Sequence, residues 1–134
     1  MEQLNNCKKL NKISGIIVNY DSAFEGEIEF NKTINKVKKT KISNNYNYIV
    51  PGFVDLHCHG GNGFDTMEGV DSIVKMSEYH LIHGTTSILP TTWTNTFEQT
   101  YNALIDFNKI KKQNPNILGV HLEGPFINPN KLGA

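Results

Sequence analysis

The sequence predicts an α/β fold: a small β unit over residues 1–49, then the first strands and helices of a parallel sheet over residues 50–134. The prediction rests on a compositional break near residue 50, a strictly alternating segment before it, and a β-α-β-α-β order after it. The first segment, Ile13 to Val18, is short and apolar enough for a strand, and Asn19-Tyr20-Asp21-Ser22 makes a turn. In Phe24 to Phe30, Phe24, Ile28 and Phe30 share one face while Glu25, Glu27 and Glu29 share the other. That alternation marks a strand with one solvated face. Lys32 to Asn47 is rich in lysine and asparagine and reads as a solvated strand and loop.

Beyond residue 50 the pattern changes. Tyr48 to Leu56 reads as a buried strand, followed by a loop over Gly60 to Glu68. The spacing predicts a helix from about Asp71 to His83, with Val70, Ile73, Val74, Ser77 and Leu81 on one stripe and Gly84 as its C-terminal cap. Thr85 to Leu89 is a second strand, closed by Pro90. Asn95 and Glu98 form a capping pair for a second helix ending near Lys112, with Phe97, Tyr101, Leu104, Ile105 and Asn108 on its stripe. Ile117 to Leu122 is a third strand. A closed barrel of such units needs about 250 residues. Three strands and two helices therefore predict a sheet that stops short and leaves apolar edges uncovered.

Composition narrows the chemistry. Lysine plus arginine and aspartate plus glutamate number 13 each, so no strong field points to nucleic acid or an acidic membrane. Cys7 and Cys58 are too few and too far apart for a disulfide framework, and predict a reducing compartment. The N-terminus carries no signal-like apolar core and no segment approaches membrane-spanning length, so a soluble, cytoplasmic location is expected.

The chemistry-bearing residues lie where strands end. In Pro51-Gly52-Phe53-Val54-Asp55-Leu56-His57-Cys58-His59-Gly60, alternation puts His57 and His59 on one face and Cys58 on the other. The C-terminal ends of parallel strands lie on one side of a sheet, so Glu123, after the third strand, is expected to converge with the two histidines. Two imidazoles and a carboxylate suit zinc or iron(II), and a metal with an open position generates a hydrolytic nucleophile near neutral pH. His121 reads as a hydrogen-bonded core histidine, and His80 and His83 as helix-end groups. Cys58 reads as a packing residue, and Asp55 as structural or supporting a ligand. Asp65 is a possible catalytic carboxylate. Gly60-Gly61-Asn62-Gly63 lacks a phosphate-loop lysine, and reads as a flexible loop near a substrate.

Three motifs carry a resemblance. The strand ending in His57 and His59, then His83-Gly84-Thr85-Thr86-Ser87-Ile88-Leu89-Pro90-Thr91-Thr92, then His121-Leu122-Glu123-Gly124-Pro125-Phe126, together resemble the N-acetylglucosamine-6-phosphate deacetylases of the amidohydrolase superfamily. The first motif is shared across much of that superfamily; the second and third are more specific. The resemblance covers roughly residues 13 to 134, about the first third of such an enzyme. It implies the N-terminal part of a TIM-type (β/α)8 barrel, preceded by an incomplete β-sandwich. It also implies hydrolysis of N-acetylglucosamine 6-phosphate to glucosamine 6-phosphate and acetate, in amino-sugar catabolism, with one or two divalent metals. His57, His59 and Glu123 match metal ligands, and Gly133 and Ala134 match the start of a substrate-contacting segment. The general acid/base aspartate, further ligands and the phosphate-binding residues would lie beyond Ala134, and a homo-oligomer is expected of the complete enzyme. The alternatives are a truncated, non-catalytic fragment and another amidohydrolase acting on a cyclic amide.

Overall fold

A computed structural model describes residues 10–42 and 47–131 of the 134-residue chain, in two compact units that meet in sequence at Pro51 and Gly52. The expected substrate contacts Gly133 and Ala134 lie outside the described residues.

The first unit is one four-stranded sheet. Strands β1 (Asn11–Val18), β2 (Ala23–Phe30), β3 (Ile34–Lys39) and β4 (Tyr48–Ile49) lie in the order β3-β2-β1-β4. β1 and β2 pair antiparallel, with Ile13 opposite Ile28 and Ile17 opposite Phe24. Ile17 and Ile28 are buried on the apolar face. On β2's other face Glu27 and Glu29 both reach Lys12 Nζ, at 3.1 and 2.8 Å. The hydrogen bond from Lys12 holds the Glu29 carboxyl below its ordinary value. These groups are exposed, so the pairs order side chains more than they stabilise the sheet. Edge strand β3 is exposed along its whole length and carries Lys36, Lys38 and Lys39. Charge of that kind discourages pairing with another chain's edge.

The expected continuous strand from Tyr48 to Leu56 is broken in two. Pro51-Gly52 separates β4, in the first sheet, from β5 (Phe53–Cys58), in the second unit. Proline lacks the N–H that a ladder needs, which accounts for the interruption.

The second unit holds β5, two short strands β6 (Gly60–Gly61) and β7 (Phe64–Asp65), and β8 (Thr85–Pro90), which pairs parallel with β5. The third expected strand reduces to isolated parallel bridges, Ile88 with Ile117 and Thr91 with His121. It has β8 as its one neighbour among the described residues, and Gly119 weakens its middle. Hydrogen bonds still fix its register: Ile88 N donates to Asn116 O (2.8 Å), Leu118 N to Ile88 O (3.1 Å), and His121 N to Pro90 O (3.0 Å).

Helix α1 (Val70–Ile82) follows the predicted span closely, and Gly84, at φ 98°, takes the left-handed conformation that ends it. Its buried residues are Ser72, Ile73, Met76 and Ser77, whereas Leu81 is exposed. Helix α2 (Phe97–Ile110) turns a different face inward than the spacing suggested. Thr100, Ala103, Phe107 and Ile110 are buried, while Phe97, Tyr101 and Ile105 are exposed. Large apolar residues occur on both sides of this helix, so periodicity alone could not choose between them. Its cap is also one residue later than expected: Thr96 Oγ1 accepts from Gln99 N (3.3 Å) and donates to Gln99 Oε1 (2.9 Å).

Both helices pack into a core with Cys58, Ile88 and Ile117. Val54 and Leu56 of β5 remain exposed, at 59% each, so this sheet is not covered throughout. No described helix is long and apolar enough to cross a membrane.

Candidate metal centre

The ends of β5 and β8 and the segment after His121 build the site. Thr91 is its fully buried hinge. Cys58 N donates to Thr91 Oγ1 (2.9 Å), and Thr91 N donates to Cys58 O (2.7 Å). These bonds lock the end of β5 to β8 and fix where the chain leaves toward His59. Asp55 Oδ1 accepts from His57 N at 3.0 Å, shaping the backbone beneath that ligand candidate. Thr92, also buried, holds Glu123 by its main chain: Glu123 N donates to Thr92 Oγ1 (3.0 Å), which donates to Glu123 O (3.3 Å).

The result is a tight triangle of donor atoms. His57 Nε2 and His59 Nε2 lie 3.0 Å apart, and each lies 3.2 Å from Glu123 Oε2. These residues form the metal-capable cluster found among the described residues. The Thr91 carbonyl, 3.2 Å from His59 Nδ1, can only accept, so that bond puts the proton on Nδ1. His59 Nε2 then presents its lone pair to the cluster, the tautomer a metal ligand requires. Lone pairs and a carboxylate so close together repel unless a cation or proton lies between them. A tetrahedral cation about 2.0–2.1 Å from nitrogen and oxygen donors sets them about 3.3 Å apart. The observed spacings fall just inside that figure, so the residues fit a small divalent metal.

The neighbours take distinct parts. His121 donates from Nδ1 to Leu56 O at 2.8 Å and sets its ring edgewise on His57, with centroids 4.7 Å apart. Cys58 points into the core, away from the triangle, where burial pushes its thiol up from its ordinary value. His80 has a more specific role than a helix-end charge. Its Nε2 sits 3.1 Å from Gly60 O and 3.2 Å from Cys58 Sγ, pinning the chain just past the histidine pair. His83 Nδ1 bonds Tyr79 O at 2.8 Å, within the helix end.

The stretch expected as a flexible loop is a hairpin. Gly60–Gly61 pairs antiparallel with Phe64–Asp65 around Asn62 and Gly63, at φ 53° and 80°. Positive φ at both turn residues is the type I′ geometry that Asn-Gly favours, and that dipeptide was the available signal. Asp65 is tied up structurally: Oδ1 accepts from Met67 N and Oδ2 from Trp93 Nε1, both at 2.7 Å. Trp93, which the motifs did not single out, stacks on His59.

Gly124 fixes the turn after Glu123. At φ 77°, a Cβ there would meet Thr94 Oγ1 at 2.7 Å and Thr94 Cα at 2.9 Å. Gly124→Ala is therefore expected to cost about 1–3 kcal/mol of stability, read by denaturant unfolding. Metal affinity should fall with it, because the strain is relieved by moving Glu123.

The chain is similar to known proteins over most of its length. No family model matches the chain. The N-acetylglucosamine-6-phosphate deacetylase of Bacillus subtilis is 38% identical over 93 residues, 64% of this chain and 24% of the relative. That of Bos taurus is 39% identical over 93 residues, 64% of this chain and 22% of the relative. Among solved structures, the deacetylase of Thermotoga maritima matches at 35% identity with a TM-score of 0.83, over 92% of this chain and 35% of that one. The Pasteurella multocida deacetylase matches at 25% identity and a TM-score of 0.78, over 92% of this chain and 36% of that one. The chain thus spans about a quarter of the length of the curated relatives it matches. It resembles the N-terminal portion of these deacetylases, and its fold is the opening part of their TIM-type (β/α)8 barrel with the preceding β subdomain.

Proposed function

We propose, from this similarity, that the chain supplies the metal-binding corner of a hydrolase that removes the acetyl group from N-acetylglucosamine 6-phosphate, giving glucosamine 6-phosphate and acetate. The observation that carries the reading is the convergence of His57, His59 and Glu123 within 3.0–3.2 Å of one another. Zinc or iron(II), as one ion or the first of a pair, suits this nitrogen and oxygen donor set. When bound, such an ion supplies Lewis acidity toward the amide carbonyl and lowers the pKa of water. The chain's own residues prepare that chemistry. Thr91 sets the His59 tautomer, Thr92 positions the Glu123 main chain, and Asp55 shapes the backbone under His57. On this reading, proton delivery to the leaving amine and recognition of the phosphate are the work of residues other than His57, His59 and Glu123.

The experiment is an acetate-release assay with N-acetylglucosamine 6-phosphate and added zinc or iron(II). Residues 1–134 alone are expected to bind metal without turnover. Mixed with the complementary C-terminal part of the Bacillus subtilis relative, they are expected to restore metal-dependent release. Robust turnover by the 134 residues alone would overturn the assignment of proton transfer to residues outside them. Release by the mixture that did not respond to Glu123→Ala would overturn the role given to this site.

A further inference from the structure

The chain has a single tryptophan, Trp93, just past the end of β8. Its ring lies on that of His59, with centroids 3.7 Å apart and planes 16° from parallel. Its Nε1 donates to Asp65 Oδ2 at 2.7 Å, so the indole is held at its far edge by the hairpin. The Thr91 carbonyl fixes which nitrogen of His59 carries the proton, but one hydrogen bond leaves the imidazole free to tilt about it. A stacked face removes that freedom. Of the two histidines of the pair, His59 is the more enclosed, with 19% of its side chain exposed against 51% for His57.

We infer that Trp93 is a positioning residue for metal binding: its aromatic face fixes the plane of His59 so that Nε2 stays aimed at the triangle. The inference rests on the metal reading above. It makes His59 the preorganised ligand and leaves the more exposed His57 to complete the set when a cation arrives. Supporting groups of this kind change metal affinity by about 10-fold or more when removed.

The test compares the 134-residue chain with Trp93→Phe, Trp93→Leu and Trp93→Ala. Metal-free protein is read by NMR through the ring protons of His59. Zinc affinity is read by competition with a chromophoric chelator, and folding by circular dichroism. The expected result is upfield-shifted His59 ring protons in the wild type and Trp93→Phe, with zinc affinities within a few-fold of each other. Trp93→Leu fills apolar volume without an aromatic face. It is expected to lose the upfield shift and about 10-fold in affinity while keeping the wild-type circular dichroism spectrum. Trp93→Ala should lose at least as much. Affinities of Trp93→Leu and Trp93→Ala equal to the wild type's would overturn the inference and leave the metal reading standing. A wild-type chain that binds no zinc would overturn the metal reading, and the inference with it.

Discussion

Replacing Glu123 by alanine is expected to abolish metal retention, lowering affinity by about 100-fold or more, beyond what loss of a merely supporting group costs. The substitution removes the one anionic donor of the triangle, whose Oε2 lies 3.2 Å from both imidazole nitrogens. Two imidazoles would remain, one of them half exposed. The fold should survive, because Thr92 holds Glu123 by its main chain, which the substitution leaves in place. Metal content after gel filtration, with circular dichroism as the folding control, makes the comparison. Glu123→Gln tests charge at nearly constant volume and should fail to retain metal as well. Unchanged metal content in either variant would show that the ligand assignment is wrong.

The largest effect on stability is expected at Ile88. This side chain is fully buried at the centre of β8, in a core that includes Ile73, Met76 and Ile117. Its backbone links both neighbours, pairing with Asp55 of β5 on one side and bonding Asn116 and Leu118 on the other. Ile88→Ala removes packing between the two segments that carry the ligand candidates. It should cost about 2–5 kcal/mol. Urea unfolding should show a lower midpoint with little change in slope. A loss below about 1 kcal/mol would mean that the site collapses around the gap, contrary to the packing described.

Much of this was legible in the sequence, for identifiable reasons. His57 and Cys58 close the six-residue strand β5 and His59 follows it, so alternation alone placed the imidazoles together and the thiol in the core. Glu123 converges with them because parallel strands deliver their C-terminal ends to one side, a property of topology that needs no knowledge of side-chain contacts. The misses share a different cause. The inward face of α2 depends on which stripe meets the sheet, and Phe97, Tyr101 and Ile105 gave the outward side as strong an apolar signal as Phe107 and Ile110 gave the inward one. The break at Pro51-Gly52 was written in the residue types but was outweighed by the apolar run on either side. The Trp93–His59 stack joins residues 34 positions apart in sequence, with no local pattern to announce it. His80 likewise reaches back across 20 residues to Gly60.

The central claim is that His57, His59 and Glu123 hold one cation between them. Anomalous diffraction at the zinc absorption edge, from crystals of the zinc-loaded chain, tests it most directly. The account predicts an anomalous peak within bonding distance of His57 Nε2, His59 Nε2 and a Glu123 carboxylate oxygen. A peak bound elsewhere, or an empty triangle in zinc-saturated crystals, would contradict it.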